Sequence, residues 1–320
     1  MAIRKAVVPA AGKGTRLWPA TKCVPKELLP LGTRPVIQWA VEELMGAGIE
    51  EVLVITRGGK QAIDGYFGCD EEWREVIHSS EVCECDTGLW TGKLQTFFTW
   101  QSIPLGSGDA VSKARSFCGD ESFVVALGDC AIVKLGEGPS VVSRMMSVMD
   151  ACAAAGCIAT YQVPRELTRR YGILVPADEV RSPSEPFVLA DIVEKPKPEE
   201  APSTWAVAAR YCFTPELFEY IEAERRQTPE GREVELTGAI QRLVRSGRPV
   251  YAVPLAADEF RLDVGNFPSY GAAFARALCM HPCYGLQFQQ YICKLADFLR
   301  GIGPDPDLST PEPGPRNGGG

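Results

Sequence analysis

Apolar stretches of strand length, alternating with helical patterns, constrain this chain more than any other feature. The strand candidates are KAVVPA (5–10), EVLVIT (51–56), LQTFFTW (94–100), SFVVAL (122–127), CIATYQV (157–163), AVAARYCF (206–213) and PVYAVPL (249–255). Between the earlier ones lie PVIQWAVEELMGAG (35–48), where Ile37, Val41, Leu44 and Met45 recur at helical spacing, and VVSRMMSVMDACAAAG (141–156). The first stops at Gly48, a residue suited to closing a helix. Such alternation predicts an α/β fold, doubly wound, around a mixed, mostly parallel sheet with helices on both faces. Ligands of such sheets sit at the carboxyl ends of the strands, so the residues just after each strand matter most.

From residue 164 onward the spacing is less regular, with Pro-rich stretches at 176–186 and 196–202. This half is expected to form the other wall of a cleft. Residues 266–300 read as helical and are the expected carrier of a homo-oligomeric interface. GPDPDLSTPEPGPRNGGG (303–320) has the composition of a disordered tail. No internal repeat is visible.

Composition narrows the function. At 320 residues and 45% hydrophobic, the chain can bury roughly three quarters of its unfolded surface without staples. A formal net charge of −8 argues against nucleic-acid and anionic-membrane partners. It leaves room for phosphorylated small molecules, which need only a local positive pocket. MAIRKAVVPAAG lacks a secretory leader, and no apolar run approaches the ~20 residues that span a bilayer. The 12 cysteines include Cys118, Cys152, Cys157 and Cys212 in apparent core elements, where a free thiol behaves as a small hydrophobe. A reduced, cytoplasmic protein is the expectation. Cys83-Glu84-Cys85 and Cys279-Met280-His281-Pro282-Cys283 lack the paired spacing of a structural zinc site. His78 and His281 are the only histidines, which disfavours histidine-centred catalysis.

The chemistry concentrates in AAGKGTRLWPATKCVPKELLP (10–30), directly after the first strand. A dinucleotide fingerprint needs a glycine where Leu17 stands, and a Walker loop needs Gly-Lys-Ser/Thr, which is absent. What remains is a glycine turn whose backbone N–H groups can face phosphates, flanked by Arg16 and Lys26. Glycine lets the main chain approach an anion, Arg16 offers a fork of donors, and Lys26 a mobile point charge. Taken alone, the turn is as compatible with a plain surface loop.

The longer string resolves that balance. GxGTRLxP followed by PKE resembles the signature of the sugar-1-phosphate nucleotidylyltransferases. PLGSGDA (104–110), ALGDC (126–130), PRELTRRYGIL (164–174), DIVEKPKPEEAPS (191–203), ARYCFTPELF (209–218), EVELTGAI (233–240) and RLDVG (261–265) follow in the family's order. Together they cover about residues 3–275, and RYGI with VEKPKPEEAPS favours the uridylyl branch. The resemblance implies the fold of nucleotide-diphospho-sugar transferases. It implies a catalytic domain over 1–275, with a nucleotide-binding half to about 135 and a sugar-binding half over about 136–275. A helical extension (276–301) and a tail (302–320) would follow. It also implies transfer of a uridylyl group from UTP to glucose 1-phosphate, with Mg²⁺ as cofactor.

The resemblance further implies roles for particular residues. Ala10, Ala11, Gly12, Gly14, Thr15 and Glu27 would meet the nucleotide, with Arg16 and Lys26 catalytic. Gln101 would read the base, and Gly106 would present backbone to it. A side-chain amide offers an acceptor and a donor, suiting the N3–H and carbonyl edge of uracil. Gly172, Glu194 and Lys195 would hold the sugar phosphate, with Lys195 also catalytic. Asp129 and Asp263 would hold the metal, since two carboxylates from distant segments suit a hard Mg²⁺ ion that takes its other ligands from phosphates and water.

Several positions depart from the family's pattern. Cys130 stands where a second Asp often follows LGD, Asp109 replaces a His, and Gly238 an Asp. TRLWP is nearer the guanylyl relatives. Two alternatives therefore stay open: the same chemistry with another base or sugar, dTTP first, or a silent nucleotide-sugar sensor. If Asp129 faces the cleft, Cys130 should face the core, because successive side chains on a strand point to opposite sides.

Overall fold

Alternation along the strands sorts the core onto two sides of one sheet. The computed structural model describes residues 3–68, 94–304 and 306. In it Val7, Leu53, Ile55, Phe123 and Val125 share one apolar cluster, while Ala6, Val8, Val52, Val54, Val124 and Ala126 share another. Strands covered on both faces need apolar residues at every position, which is why these runs show no polar alternation.

The strands are β1 (Lys5–Pro9), β2 (Pro30–Leu31), β3 (Arg34–Pro35), β4 (Glu51–Thr56), β5 (Gln95–Trp100), β6 (Phe123–Ala126), β7 (Cys130–Lys134), β8 (Gly156–Gln162), β9 (Gly172–Pro176), β10 (Phe187–Glu194), β11 (Trp205–Phe213), β12 (Val250–Pro254) and β13 (Glu259–Asp263). The α-helices among the described residues are α1 (Val36–Gly46), α2 (Gln61–Phe67), α3 (Ser107–Ser112), α4 (Arg115–Cys118), α5 (Val141–Ala151), α6 (Leu217–Gln227), α7 (Leu236–Arg245), α8 (Phe267–Cys279) and α9 (Gly285–Leu299). No helix among the described residues is long and apolar enough to cross a membrane.

Nine strands form the main sheet in the order β5-β4-β1-β6-β11-β8-β12-β10-β9. β5, β4, β1 and β6 run parallel, as do β8 and β12. β11 is antiparallel to both β6 and β8, and β10 to both β12 and β9. β9 also pairs with β11 through Ala206 and Ile173, which curls the second half of the sheet back on itself. α1 and α5 cover one face through Ile37, Leu44 and Met145; α3, α6 and α7 cover the other through Val111, Phe218, Ile221, Leu236 and Ile240.

Local chemistry sets the helix ends. α1 stops where Gly48 takes a left-handed conformation (φ 91°) and donates to the Met45 carbonyl. Ser140 caps α5 by accepting from the Ser143 amide. Asn266 and Ser269 form a reciprocal capping box at the start of α8. Between α8 and α9 the chain turns at Pro282, and His281 Nδ1 accepts from the amides of Cys283 and Tyr284. The helical reading of 266–300 resolves into these two helices, divided where Pro282 lacks an N–H and its ring obstructs continuation.

Each expected strand is present within a residue or two. β7, β9, β10 and β13, and the short β2–β3 pair, lie where the sequence pattern does not announce them. Eight described cysteines are free thiols, whereas Cys283 is disulfide-bonded, a departure from the all-thiol expectation. His78, Cys83-Glu84-Cys85 and the tail from 307 lie outside the described residues.

Candidate functional site

Because β1, β4, β5 and β6 are parallel, the loops that leave them emerge on one edge of the sheet. Those loops carry Gly12 and Arg16, Lys60, Gln101 and Gly106, and Asp129 respectively. Backbone bonds extend the ladder into them: Ala10 N–H donates to the Ile55 carbonyl (2.8 Å), Gln101 N–H to that of Thr56 (2.8 Å), and Gly128 N–H to that of Pro9 (3.3 Å). The loops bound a cavity of about 420 Å³ that continues, past Arg16, Ser107, Asp129 and Gly265, into a larger cleft of about 1240 Å³.

The glycine turn lies over Lys26. A Cβ at Gly12 would stand 3.1 Å from Lys26 Nζ, so the missing side chain is what lets the ammonium sit directly beneath the loop. Gly14 is left-handed (φ 68°), and its carbonyl accepts from Thr21 Oγ1 at 2.8 Å. Lys26 is ion-paired with Asp129. Burial pushes the Lys26 pKa down, but Asp129, aided by Glu27 and Asp263, holds it above the ordinary lysine value. Burial likewise pushes Asp129 up, and Lys26, with Arg261, overrides this and holds its carboxyl below the usual range. Both groups are thereby kept charged. Arg16 is exposed, borders both cavities, and has no ion-pair partner among the described residues.

Asp263 reaches the site through a two-stranded ribbon. β13 pairs antiparallel with β7 in a register that sets Asp263 opposite Cys130, next to Asp129. Arg261 donates to Asp263 Oδ1 (2.9 Å). The resulting donor set is two carboxylates, with no histidine, cysteine or third carboxylate clustered with them among the described residues, the chemistry of a hard cation. No cluster of three or more potential metal-ligating side chains occurs among the described residues, so an ion here would complete its shell from phosphates and water. Cys130 is buried, as expected from its position, and burial pushes its thiol up.

The sugar-side residues gather where β9 and β10 pair. Gly172 lies opposite Glu194 in the register, and a Cβ there would come within 3.5 Å of Glu194 Oε2. Glu194 accepts from Thr237 Oγ1 (2.7 Å) and is ion-paired with Lys195. Lys195 has φ 45°, a conformation that L side chains adopt at a cost and that is concentrated at functional sites.

Three of the residues expected to meet the nucleotide are also tied into the fold. Ala10 has both backbone groups engaged, its carbonyl accepting from Lys60 Nζ at 2.6 Å. Glu27 is fully enclosed and paired with Lys60 at 2.6 Å, and burial pushes its carboxyl up against the pull of Lys60 and Lys26. It braces the loop from below. Gly106 is required by packing: at φ 105°, a Cβ would meet the Val234 carbonyl at 2.5 Å. Gly238, in turn, leaves room for the Glu224 carboxylate that pairs with Arg242 (2.6 Å).

Lys60 and Arg210 escaped the sequence reading. Arg210 is buried at an irregularity of β11, bonding Glu43 (2.8 Å) and the Cys130 carbonyl (2.9 Å) beside Asp129. A lysine after a strand and an arginine inside one carry no signal of burial. Lys60→Met should destabilise the fold by about 3–5 kcal/mol, because it strands the Glu27 charge. A Lys60→Met/Glu27→Gln double variant should recover most of that loss in thermal melts; equal melting points for wild type and the single variant would refute the brace.

Comparisons with known proteins bear on the family and the fold. A family model described as nucleotidyl transferase matches residues 5–278. A UTP–glucose-1-phosphate uridylyltransferase of Staphylococcus haemolyticus is 38% identical over 82% of this chain and 88% of its own length. One from Streptococcus pyogenes is 37% identical over 93% of this chain and 96% of its own. Among solved structures, a UTP-bound UGPase from Acinetobacter baumannii superposes with a TM-score of 0.80 at 32% identity, covering 92% of this chain and 99% of that one. A UDP-glucose pyrophosphorylase complexed with UDP-glucose superposes at 0.74 with 30% identity, covering 86% and 98%. The chain belongs to the nucleotidyl transferase family.

Proposed function

We propose that this protein transfers a uridylyl group from UTP to glucose 1-phosphate, releasing pyrophosphate and forming UDP-glucose. The observation that carries this reading is the shared wall of the two cavities, in which Arg16 and Asp129 border both. A nucleotide whose phosphates lie over Gly12–Arg16 ends at that wall, and so does a sugar phosphate held near Gly172, Glu194 and Lys195. A sugar-phosphate oxygen can then form a bond to the α-phosphorus while the bond to pyrophosphate breaks. No protein base is needed, because the attacking phosphate is already an anion.

In this reading the protein supplies positioning and charge neutralisation. Arg16 and Lys26 grip the triphosphate, assisted by main-chain N–H groups of Ala11, Gly12, Gly14 and Thr15. Lys195 holds the incoming phosphate, and Glu194 accepts from sugar hydroxyls. Asp129 and Asp263 would hold Mg²⁺, which when bound neutralises phosphate charge. The nucleotide side falls to residues before about 135 and the sugar side to 136–275. Apolar Leu286, Leu299 and Ile302 are exposed on and just beyond α9, and a homo-oligomer would cover them.

The experiment is a pyrophosphate-release profile of UTP, dTTP, CTP, GTP and ATP against glucose, galactose and mannose 1-phosphates. UTP with glucose 1-phosphate should lead in kcat/KM. A different leading pair would replace the substrate assignment, and no release with any pair would favour the silent sensor. Light scattering on the same sample reads the mass.

A further inference from the structure

Asp109 lies buried behind Gln101, a residue that lines the smaller cavity. It is 2% exposed, yet it carries three close contacts: Gln101 Nε2 at 2.7 Å, Arg225 at 2.8 Å and Lys113 at 3.3 Å. Arg225 faces its carboxylate from α6, and Lys113 from just past the end of its own helix, α3. Gln101 Nε2 also donates to the Gly106 carbonyl at 3.1 Å.

Both neighbours of that amide nitrogen are acceptors only, a carboxylate and a main-chain carbonyl. An amide turned the other way would set three oxygens against one another. The orientation of Gln101 is therefore dictated by hydrogen-bond chemistry, and both N–H hydrogens are consumed. Its oxygen accepts from none of the described residues, and the side chain, 3% exposed, borders the cavity. This corrects the simple expectation that Gln101 offers the base a donor as well as an acceptor. Only the acceptor remains.

The cavity is also polarised along its length. Lys13, Arg16 and Lys26 gather at its glycine-turn end, which suits phosphates, while Pro104, Gly106 and Ala110 line it near Gln101, with Glu233 beside Gly106. A base placed at the second end would lie beside Gln101, whose engaged nitrogen leaves the amide oxygen to meet its edge.

We propose that Asp109 is a specificity-determining positioning residue, locking the Gln101 amide so that the site accepts only bases with a ring N–H at the edge that Gln101 faces. Uracil and thymine carry that donor at N3, whereas cytosine presents a lone pair there, oxygen against nitrogen. A buried acceptor without a donor costs enough to reject the wrong base strongly. The lock does not separate uracil from thymine, which agree at N3. The inference rests on the nucleotidyl transfer proposed above and adds the origin of base selection.

The test is the ratio of kcat/KM for UTP over CTP, with glucose 1-phosphate as co-substrate. In Asp109→Asn, Arg225 claims the asparagine oxygen and leaves its NH₂ toward Gln101. Gln101 is then drawn to turn its own oxygen inward and its nitrogen to the base. The UTP:CTP ratio should fall by about tenfold or more. In Asp109→Ala the Gly106 carbonyl alone holds the amide, and the ratio should fall by about threefold or more. Arg225→Met removes a neighbour of Asp109 but keeps the lock, so the ratio should hold within twofold even if the melting temperature drops. A merely structural role for Asp109 would lower both rates together and leave the ratio unchanged. An unchanged ratio in whichever Asp109 variant melts cooperatively overturns the inference. Wild-type protein inactive with every nucleotide would instead overturn the proposed function, so the two failures are distinguishable.

Discussion

Asp129→Asn and Asp263→Asn are each expected to lower turnover by about a hundredfold to a thousandfold at any practical Mg²⁺ concentration. Asparagine keeps the shape of the side chain and removes the charge. A metal that draws only two ligands from the protein cannot make up that loss from solvent. Asp129→Asn also leaves Lys26 without the carboxylate that holds it charged. Cys130→Ala supplies the contrast. Cys130 is 1% exposed and packs away from the cleft, so the variant should keep the wild-type Mg²⁺ midpoint and show any cost in thermal stability alone. Initial rates across a Mg²⁺ titration, with Mn²⁺ binding followed by electron paramagnetic resonance and melts alongside, separate these outcomes. A shifted midpoint in Cys130→Ala would place that residue in the metal site, and near-normal rates in either Asn variant would remove its aspartate from it.

Lys26→Ala should be of comparable size, a loss of about a hundredfold or more in kcat, the scale of removing one preorganised charge from a transition state. Lys26→Arg should not rescue it. The ammonium lies where a Cβ at Gly12 would come within 3.1 Å, and the planar guanidinium is too broad for that space. Because Asp129 loses its cation in Lys26→Ala, the melt must accompany the kinetics. A variant that melts like wild type and turns over within a few-fold of it would show that Lys26 serves the fold only.

The glycine turn and PKE were legible as one contiguous family signature; the residue types alone, glycine for approach and lysine and arginine for charge, fitted a surface loop equally well. Asp129 and Asp263 were assigned only through the family resemblance, because an Asp just past an apolar strand is equally a common turn residue. β7, β9, β10 and β13 were not legible. β7 and β13 pair chiefly with each other, off the main sheet, while β9 and β10 form its curled edge and carry more mixed side chains. Their existence depends on partners far along the chain rather than on a pattern within them.

The sequence by itself determined the two-sided apolar strands, the parallel first half of the sheet and the residue types at its carboxyl edge. Hydrophobic period and backbone preference act over a few residues and can be read there. The tertiary structure alone decided which charges meet: Lys26 with Asp129, Glu27 with Lys60 beneath the loop, and Asp109 with Gln101. An ion pair or hydrogen bond forms within about 3 Å, and which groups come that close is set by the pairing of segments that lie far apart along the chain.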